Sequence, residues 1–176
     1  MSTKPWQYSA INPKTGVAMK EPVQLAKILK KAQRPLIVVG ALADQVKVYD
    51  GKTMLDLVIE LGKTIPVVAT AHISKPFLEK GFKPTEIMTA VNITNRLSDP
   101  SWKGLDGKGK YDVVVYTGMT IYLELQMLSR LKHYATWIKS IALERFFIPN
   151  ASIGLANLKE EKFREGMKGF MDEMKS

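Results

Sequence analysis

The chain has 176 residues, of which 45% are hydrophobic and 24% are charged, values typical of one soluble domain with a substantial core. It contains no cysteine, which excludes disulfides, a catalytic thiolate, and ligation of iron–sulfur clusters or thiolate-bound zinc by this chain. No apolar run reaches bilayer-spanning length, and the first residues, MSTKPWQYSA, lack the apolar centre of a signal peptide. We therefore expect a cytoplasmic protein without a membrane partner.

The positive charge is concentrated near the N-terminus. The formal net charge is +9, and residues 1–34 hold seven lysines or arginines against one glutamate. Such a segment suits nucleic acid or an acidic protein surface, but its basic residues are not interleaved with aromatic ones, and no recognition-helix or RNP-like motif is present. We expect no nucleic-acid partner. A solvated basic face and a protein contact remain as interpretations.

The first part of the chain divides into an arm and the start of a domain. Residues 1–20 hold two prolines, a glycine and scattered polar residues, which predicts an irregular arm lying on a single domain of residues 21–176. Pro22 suits a first helical turn, and apolar residues then recur at helical spacing. Pro35 ends that helix and opens PLIVVG, residues 35–40, an uninterrupted apolar run typical of a strand covered on both faces.

Helix and apolar strand then alternate along the rest of the chain. Further strands are predicted at 64–70, 111–118 and 138–144. Helices are predicted within 51–63, with Gly62 as a candidate C-cap, at 84–97, at 120–134 and from Asn157, a candidate N-cap, to the C-terminus. This alternation predicts an α/β fold with a doubly wound parallel sheet, Rossmann-like, with helices on both faces.

The ends of the predicted strands indicate a candidate cofactor site. In open parallel sheets, ligands bind beyond the carboxyl ends of the strands, near the switch in strand order. The residues nominated by this rule are Gly40, Ala41, Thr70, Ala71, His72, Gly118, Met119 and Glu144. Neither glycine belongs to a Gly-x-Gly-x-x-Gly or Walker motif, so sharp strand-to-helix turns are the alternative interpretation of both.

Few residues suit catalysis. His72 lies on the predicted rim and His133 lies late in a helix, and no nucleophile elbow, paired-acid motif or metal-ligand spacing is present. Glu144 is either a rim acid or the partner of Arg145 in an ion pair that fixes the loop. We predict no catalytic residue and no metal site in this chain.

Two loops carry aromatic residues that suit a protein interface. The stretch 146–158 is mostly apolar and begins with Phe146 and Phe147, and Trp102 lies in PSWKGLDGKGK. Loops that face water are usually polar. Either these side chains fold back onto their own domain, or together with Arg145 they contact another subunit, in which case a homo-oligomer is conceivable for the isolated chain.

Several segments resemble the epsilon subunit of the archaeal acetyl-CoA decarbonylase/synthase complex. They are RPLIVVG, a second strand ending in Ala-Thr, LSDPSWKGLDGKGKYDVVVYTG, a helix with a tyrosine near its start, and SIALERFFIPNASIGLANL. The connection from Asp-Pro to Tyr-Asp is long and unusual, so the resemblance is specific. It covers the chain from about Lys20 to the C-terminal helix.

The resemblance implies a fold similar to the FAD/NAD-binding middle domain of thiamine-diphosphate enzymes. It also implies a partner, the cluster-bearing alpha subunit of carbon monoxide dehydrogenase, in an alpha-two epsilon-two component. The leading hypothesis is a non-catalytic accessory subunit, without a tightly bound cofactor, that stabilises the alpha subunit through the loops at 99–110 and 145–155. The alternative is a module that binds FAD across the rim and assists electron transfer from the alpha subunit.

Overall fold

The computed structural model describes residues 15–176, so most of the predicted arm lies outside the described part. The strands are Val17–Met19 (β1), Pro35–Val39 (β2), Val67–Ala69 (β3), Glu86–Ile87 (β4), Val113–Thr117 (β5), Lys139–Ala142 (β6) and Ile153–Leu155 (β7). The helices are Pro22–Lys30 (α1), Met54–Leu61 (α2), Ala71–Glu79 (α3), Ala90–Leu97 (α4), Ile121–Tyr134 (α5) and Glu160–Lys175 (α6).

These strands form one sheet in the order β1-β7-β6-β5-β2-β3-β4. Every pair of neighbouring strands is parallel. From β2 the chain moves outward through β3 to β4, then returns to lay β5 on the other side of β2. The switch in strand order therefore lies between β2 and β5, and the predicted doubly wound α/β fold is confirmed.

The central strands are buried on both faces, which explains their uninterrupted apolar runs. Ile37 and Val39 of β2 belong to a core that also holds apolar residues of α1, α2, α3 and α6. Leu36 and Val38 belong to the core on the opposite face, with apolar residues of α4 and α5. The sheet is thus covered by helices on both sides and presents its strand ends at two opposite edges.

Three short strands and one helix differ from the sequence prediction. β1 lies inside the predicted arm, β4 inside the predicted helix 84–97, and β7 inside the predicted loop 146–158. Each has only two or three residues, and both residues of β4 are exposed, so pairing with a neighbouring strand rather than composition creates them. Because α3 contains Pro76 and begins directly after β3, its helical pattern was not recognised in the sequence.

The predicted cap of the C-terminal helix is wrong. α6 begins after Lys159, and Asn157 instead has a positive φ of 36°. Its side-chain oxygen accepts a hydrogen bond from the backbone N–H of Phe147 at 3.0 Å. Asn157 therefore ties two loops together, a role that depends on a contact ten residues away in the chain.

Gly40 provides a test of the packing at the switch point. A Cβ atom there would lie 2.3 Å from the carbonyl oxygen of Gly118 and 2.5 Å from Cγ of Met119. We predict that Gly40→Ala lowers the free energy of unfolding, measured by urea titration, by about 1–3 kcal/mol because of overpacking.

The matched control is Gly169→Ala in α6, where an added Cβ meets nothing within 4 Å. This substitution should raise the free energy of unfolding by about 0.5–1 kcal/mol, since alanine is the better helix former. If Gly40→Ala is as stable as the parent chain, the close packing of β2 against Gly118 is incorrect.

Candidate functional site

The carboxyl ends of β2, β3 and β5 surround a cavity of about 320 Å³, here called the cleft. Six of the eight predicted rim residues line it: Gly40, Ala41, Thr70, Ala71, His72 and Met119. Leu42, Thr89, Ala90, Thr120 and Leu123 complete its wall. The walls are mainly apolar, and the volume lies at the lower end of the range of small-molecule pockets.

Three helices begin at the cleft. Thr70, Thr89 and Thr120 are the N-cap residues of α3, α4 and α5. The Thr89 hydroxyl accepts the backbone N–H of Asn92 at 3.2 Å, whereas the side chains of Thr70 and Thr120 make no capping hydrogen bond. The first turns of α3 and α5 therefore retain backbone donors and hydroxyl groups that favour an anion.

The backbones that follow β2 and β5 are joined to each other beyond the strand ends. The backbone N–H of Gly40 donates to the carbonyl of Thr117 at 2.8 Å, and the N–H of Leu42 donates to the carbonyl of Gly118 at 2.7 Å. Gly118 has a φ of 68°, a conformation that favours glycine. Both glycines therefore lie where two backbones approach closely, and Gly40 also lines the cleft.

Glu144 does not line the cleft. It contacts the backbone at Gly118, where the segments that follow β2 and β5 meet, from the other side. Its carboxylate accepts the backbone N–H of Gly118 at 2.5 Å. The expected ion pair with Arg145 does not form. The Arg145 guanidinium lies 4.0 Å from the centre of the Phe146 ring and donates to the carbonyl of Leu158 at 3.2 Å.

A second carboxyl group, on Glu124, lies buried near Glu144. Glu124 is 0% exposed, and neither of its carboxyl oxygens has a hydrogen-bond partner within residues 15–176. Burial raises its pKa well above that of an exposed glutamate, and the charge of Glu144 raises it further. Burial also raises the pKa of Glu144 to about 7, against hydrogen bonds from Gly118, Thr117 and Met119 that lower it.

Glu124 was not recognised as a site residue from the sequence, although the sequence carries a signal for it. The residues Glu124, Met127, Leu128 and Leu131 follow helical spacing, and all four are buried. A glutamate at the first position of a core-facing helical stripe is unusual. The charge of the nearby Glu144 disfavours ionisation of Glu124, and carboxyl groups with shifted pKa values are frequent at functional sites.

The connection that carries Trp102 packs on its own domain. The Trp102 ring is half-buried, and its centre lies 5.9 Å from that of Tyr111. The Tyr111 hydroxyl accepts the N–H of Leu105 at 3.3 Å, and Arg34 forms an ion pair with Asp106 at 2.7 Å. Trp102 thus has an internal packing role, and part of its surface stays exposed.

The predicted partner-binding residues do not form one surface. Trp102 precedes the amino end of β5, whereas Arg145, Phe146 and Phe147 follow the carboxyl end of β6. Because β5 and β6 are parallel, the two groups lie at opposite edges of the sheet. Phe147 is only 8% exposed, while Arg145 and Phe146 are half-buried.

Comparison with known proteins identifies the family. The profile of the family described as CO dehydrogenase beta subunit/acetyl-CoA synthase epsilon subunit matches residues 1–168. The chain belongs to this family. The resemblance inferred from the sequence is therefore confirmed.

Three relatives of this chain carry the name acetyl-CoA decarbonylase/synthase complex subunit epsilon. The Methanothrix soehngenii protein is 40% identical over 139 residues, covering 78% of this chain and 72% of the relative. The Methanothermobacter thermautotrophicus protein is 35% identical over 159 residues, covering 90% and 89%. The Archaeoglobus fulgidus protein, epsilon 1, is 35% identical over 144 residues, covering 81% and 75%.

Two features are absent from residues 15–176. This part of the chain holds no group of three or more histidine, cysteine, aspartate or glutamate side chains placed to bind a metal ion. None of its helices has the length and apolar character needed to cross a membrane.

The buried acids predict an unusual dependence of stability on pH. Both have a higher pKa in the folded state, so folding retains protons that the unfolded chain releases. Their contribution is complete below the pKa of 4.5 of an exposed glutamate, and for Glu144 it is lost as the pH rises to about 7. The free energy of unfolding should therefore fall from pH 5 to pH 8, by up to about 1.4 kcal/mol per pH unit for each retained proton.

Glu124→Met should raise the free energy of unfolding at pH 8 and reduce this slope, because an apolar side chain replaces a buried acid. Urea titrations at pH 5, 6, 7 and 8 measure both effects. The control, Glu165→Gln at an exposed position of α6, should leave the slope unchanged. A Glu124→Met chain that is less stable than the parent at pH 8 would contradict this account of the pair.

Proposed function

We propose that this chain is a non-catalytic accessory subunit that binds and stabilises the large, cluster-bearing carbon monoxide dehydrogenase subunit of an acetyl-CoA decarbonylase/synthase complex. The observation that carries the proposal is family membership, since the relatives are named as subunits of such a complex. The absence of cysteine supports it, because iron–sulfur clusters are held by thiolates. A chain without thiols leaves the clusters to its partner.

The proposed contact surface lies at the mouth of the cleft. Tyr122 is 83% exposed, and Ile121 and Val91 are 48% and 47% exposed. Ile121 and Tyr122 begin α5 beside the cleft residues Thr120 and Leu123, and Val91 follows Ala90 in the first turn of α4. Exposed aromatic and aliphatic side chains that flank a cavity are typical anchors of a protein interface.

The loop residues that the sequence suggested as partner contacts are less central to this proposal. Arg145 and Phe146 remain candidates for a contact at the same edge of the sheet. Trp102 would take part only if the large subunit also made a second contact, at the opposite edge of the sheet. Phe147, which is 8% exposed, supports the loop from inside.

The test is co-purification with an affinity-tagged large subunit. We expect the double substitution Ile121→Ser, Tyr122→Ser to reduce the captured fraction about tenfold or more, because it removes two central anchors. The matched control is Leu78→Ser on α3, also a large exposed apolar residue at 59%, which should be captured normally. Capture of the double variant at the parent level would reject this surface.

A stabilising role predicts a second result. The large subunit should lose carbon monoxide dehydrogenase activity more slowly on heating when this chain is present in excess, since binding to the folded state stabilises it. The Ile121→Ser, Tyr122→Ser variant should give no protection. Identical inactivation rates with and without the parent chain would contradict the stabilising role.

A second candidate function is binding of FAD, which would accept electrons when bound. The apolar walls of the cleft suit a flat ring system, and the uncapped first turns of α3 and α5 suit phosphate groups. Ala41 is exposed and lines the cleft, so Ala41→Phe should block it without disturbing the core.

Flavin fluorescence, measured on the assembled complex and on the isolated chain, tests this function. A saturable change that Ala41→Phe abolishes and Ser101→Phe at the opposite edge preserves would support FAD binding. An unchanged signal in both preparations would exclude it.

A further inference from the structure

A second cavity, of about 490 Å³, lies at the carboxyl edge of the sheet beside β6 and α6. It is called here the cationic pocket. Its charged wall residues are Lys47, Arg145, Arg164, Glu144 and Glu160. They come from three separate segments: the loop after β2, the residues that follow β6, and the first two turns of α6. Its volume is within the range of small-molecule sites.

The positive charges of this pocket are only partly balanced. Arg164 forms an ion pair with Glu160. Among residues 15–176, neither Lys47 nor Arg145 has a salt bridge. Two cations therefore face the cavity together with one further acid, Glu144, which is already bonded to the backbone N–H of Gly118.

Arg145 is fixed in a geometry that suits anion binding. Its guanidinium stacks on Phe146 with 4.0 Å to the ring centre and donates one hydrogen bond, to the carbonyl of Leu158. A guanidinium has five N–H donors in a planar fork, so several donors remain for a ligand. A stacked and anchored arginine also loses less conformational entropy on binding than a mobile one.

We propose that the cationic pocket binds a small molecule carrying phosphate or carboxylate groups, held by Arg145 and Lys47, and that the carboxylate of Glu144 opposes its binding. This site is separate from the cleft and does not depend on the proposed function. It assigns a role to Glu144, which the accessory-subunit proposal does not use.

The opposition by Glu144 makes binding sensitive to pH. The charged groups that face Glu144 are Lys47, Arg145 and Arg164 across the pocket, Glu160 in its ion pair, and the buried acid Glu124 behind it. As the pH rises through about 7, Glu144 ionises and repels a bound anion. Affinity should therefore be greater at pH 6 than at pH 8.

Isothermal titration calorimetry of the full chain with inorganic pyrophosphate, and separately with succinate, tests the proposal. We expect saturable binding of at least one anion, and the comparison distinguishes a phosphate from a carboxylate preference. Arg145→Gln should weaken binding about tenfold or more, since a charged hydrogen bond is lost. Arg130→Gln on the exposed face of α5 should have no effect.

Glu144→Gln separates the role of this acid from ionisation of the ligand itself. At pH 8 the variant should bind more tightly than the parent chain, and at pH 6 the two should be nearly equal. Lys47→Gln, in an exposed loop, provides a second variant that should weaken binding even if Arg145→Gln fails to fold. No saturable binding of either anion, or binding unaffected by both Arg145→Gln and Lys47→Gln, would overturn the proposal.

Discussion

The close contact between the ends of β2 and β5 determines what the carboxyl edge of this sheet can bind. Gly40 and Leu42 bond to the backbone at Thr117 and Gly118, and neither glycine has room for a side chain. In open parallel sheets a ligand usually binds beside this switch point, and here the cleft lies there, with the joined backbones that follow β2 and β5 as part of its wall. The space for ligands is consequently divided between the apolar cleft beside β3 and the cationic pocket beside β6.

Glu144 connects this junction to the second cavity. Its carboxylate occupies the N–H of Gly118, a strand-end donor that faces a phosphate in many nucleotide-binding sheets. The chain thus supplies its own anion at this position, with the buried Glu124 nearby. Glu124 is costly to bury, because its carboxyl oxygens have no hydrogen-bond partner among residues 15–176, and this favours a functional reason for its presence over a purely structural one.

The sequence predicted the parts of this structure that depend on local composition. β2 and β5 are recognisable because they contain continuous apolar runs, and six rim residues meet because parallel strand ends lie at one edge. The short strands β1, β4 and β7 arise from pairing, which composition does not encode. Glu124 was overlooked and the burial of Phe147 was left open for a related reason: their surroundings come from segments distant in the chain, namely the Glu144 loop and Asn157.

Membership of the epsilon-subunit family and the exposed Tyr122 at the cleft mouth lead to the proposal that the first turns of α4 and α5 contact the large subunit. Hydrogen–deuterium exchange of this chain, alone and in the assembled complex, tests it most directly. The account predicts slower exchange in the complex at residues 90–94 and 121–125, with the loop at 99–110 less affected. Protection confined to 99–110, with the starts of α4 and α5 unchanged, would contradict it.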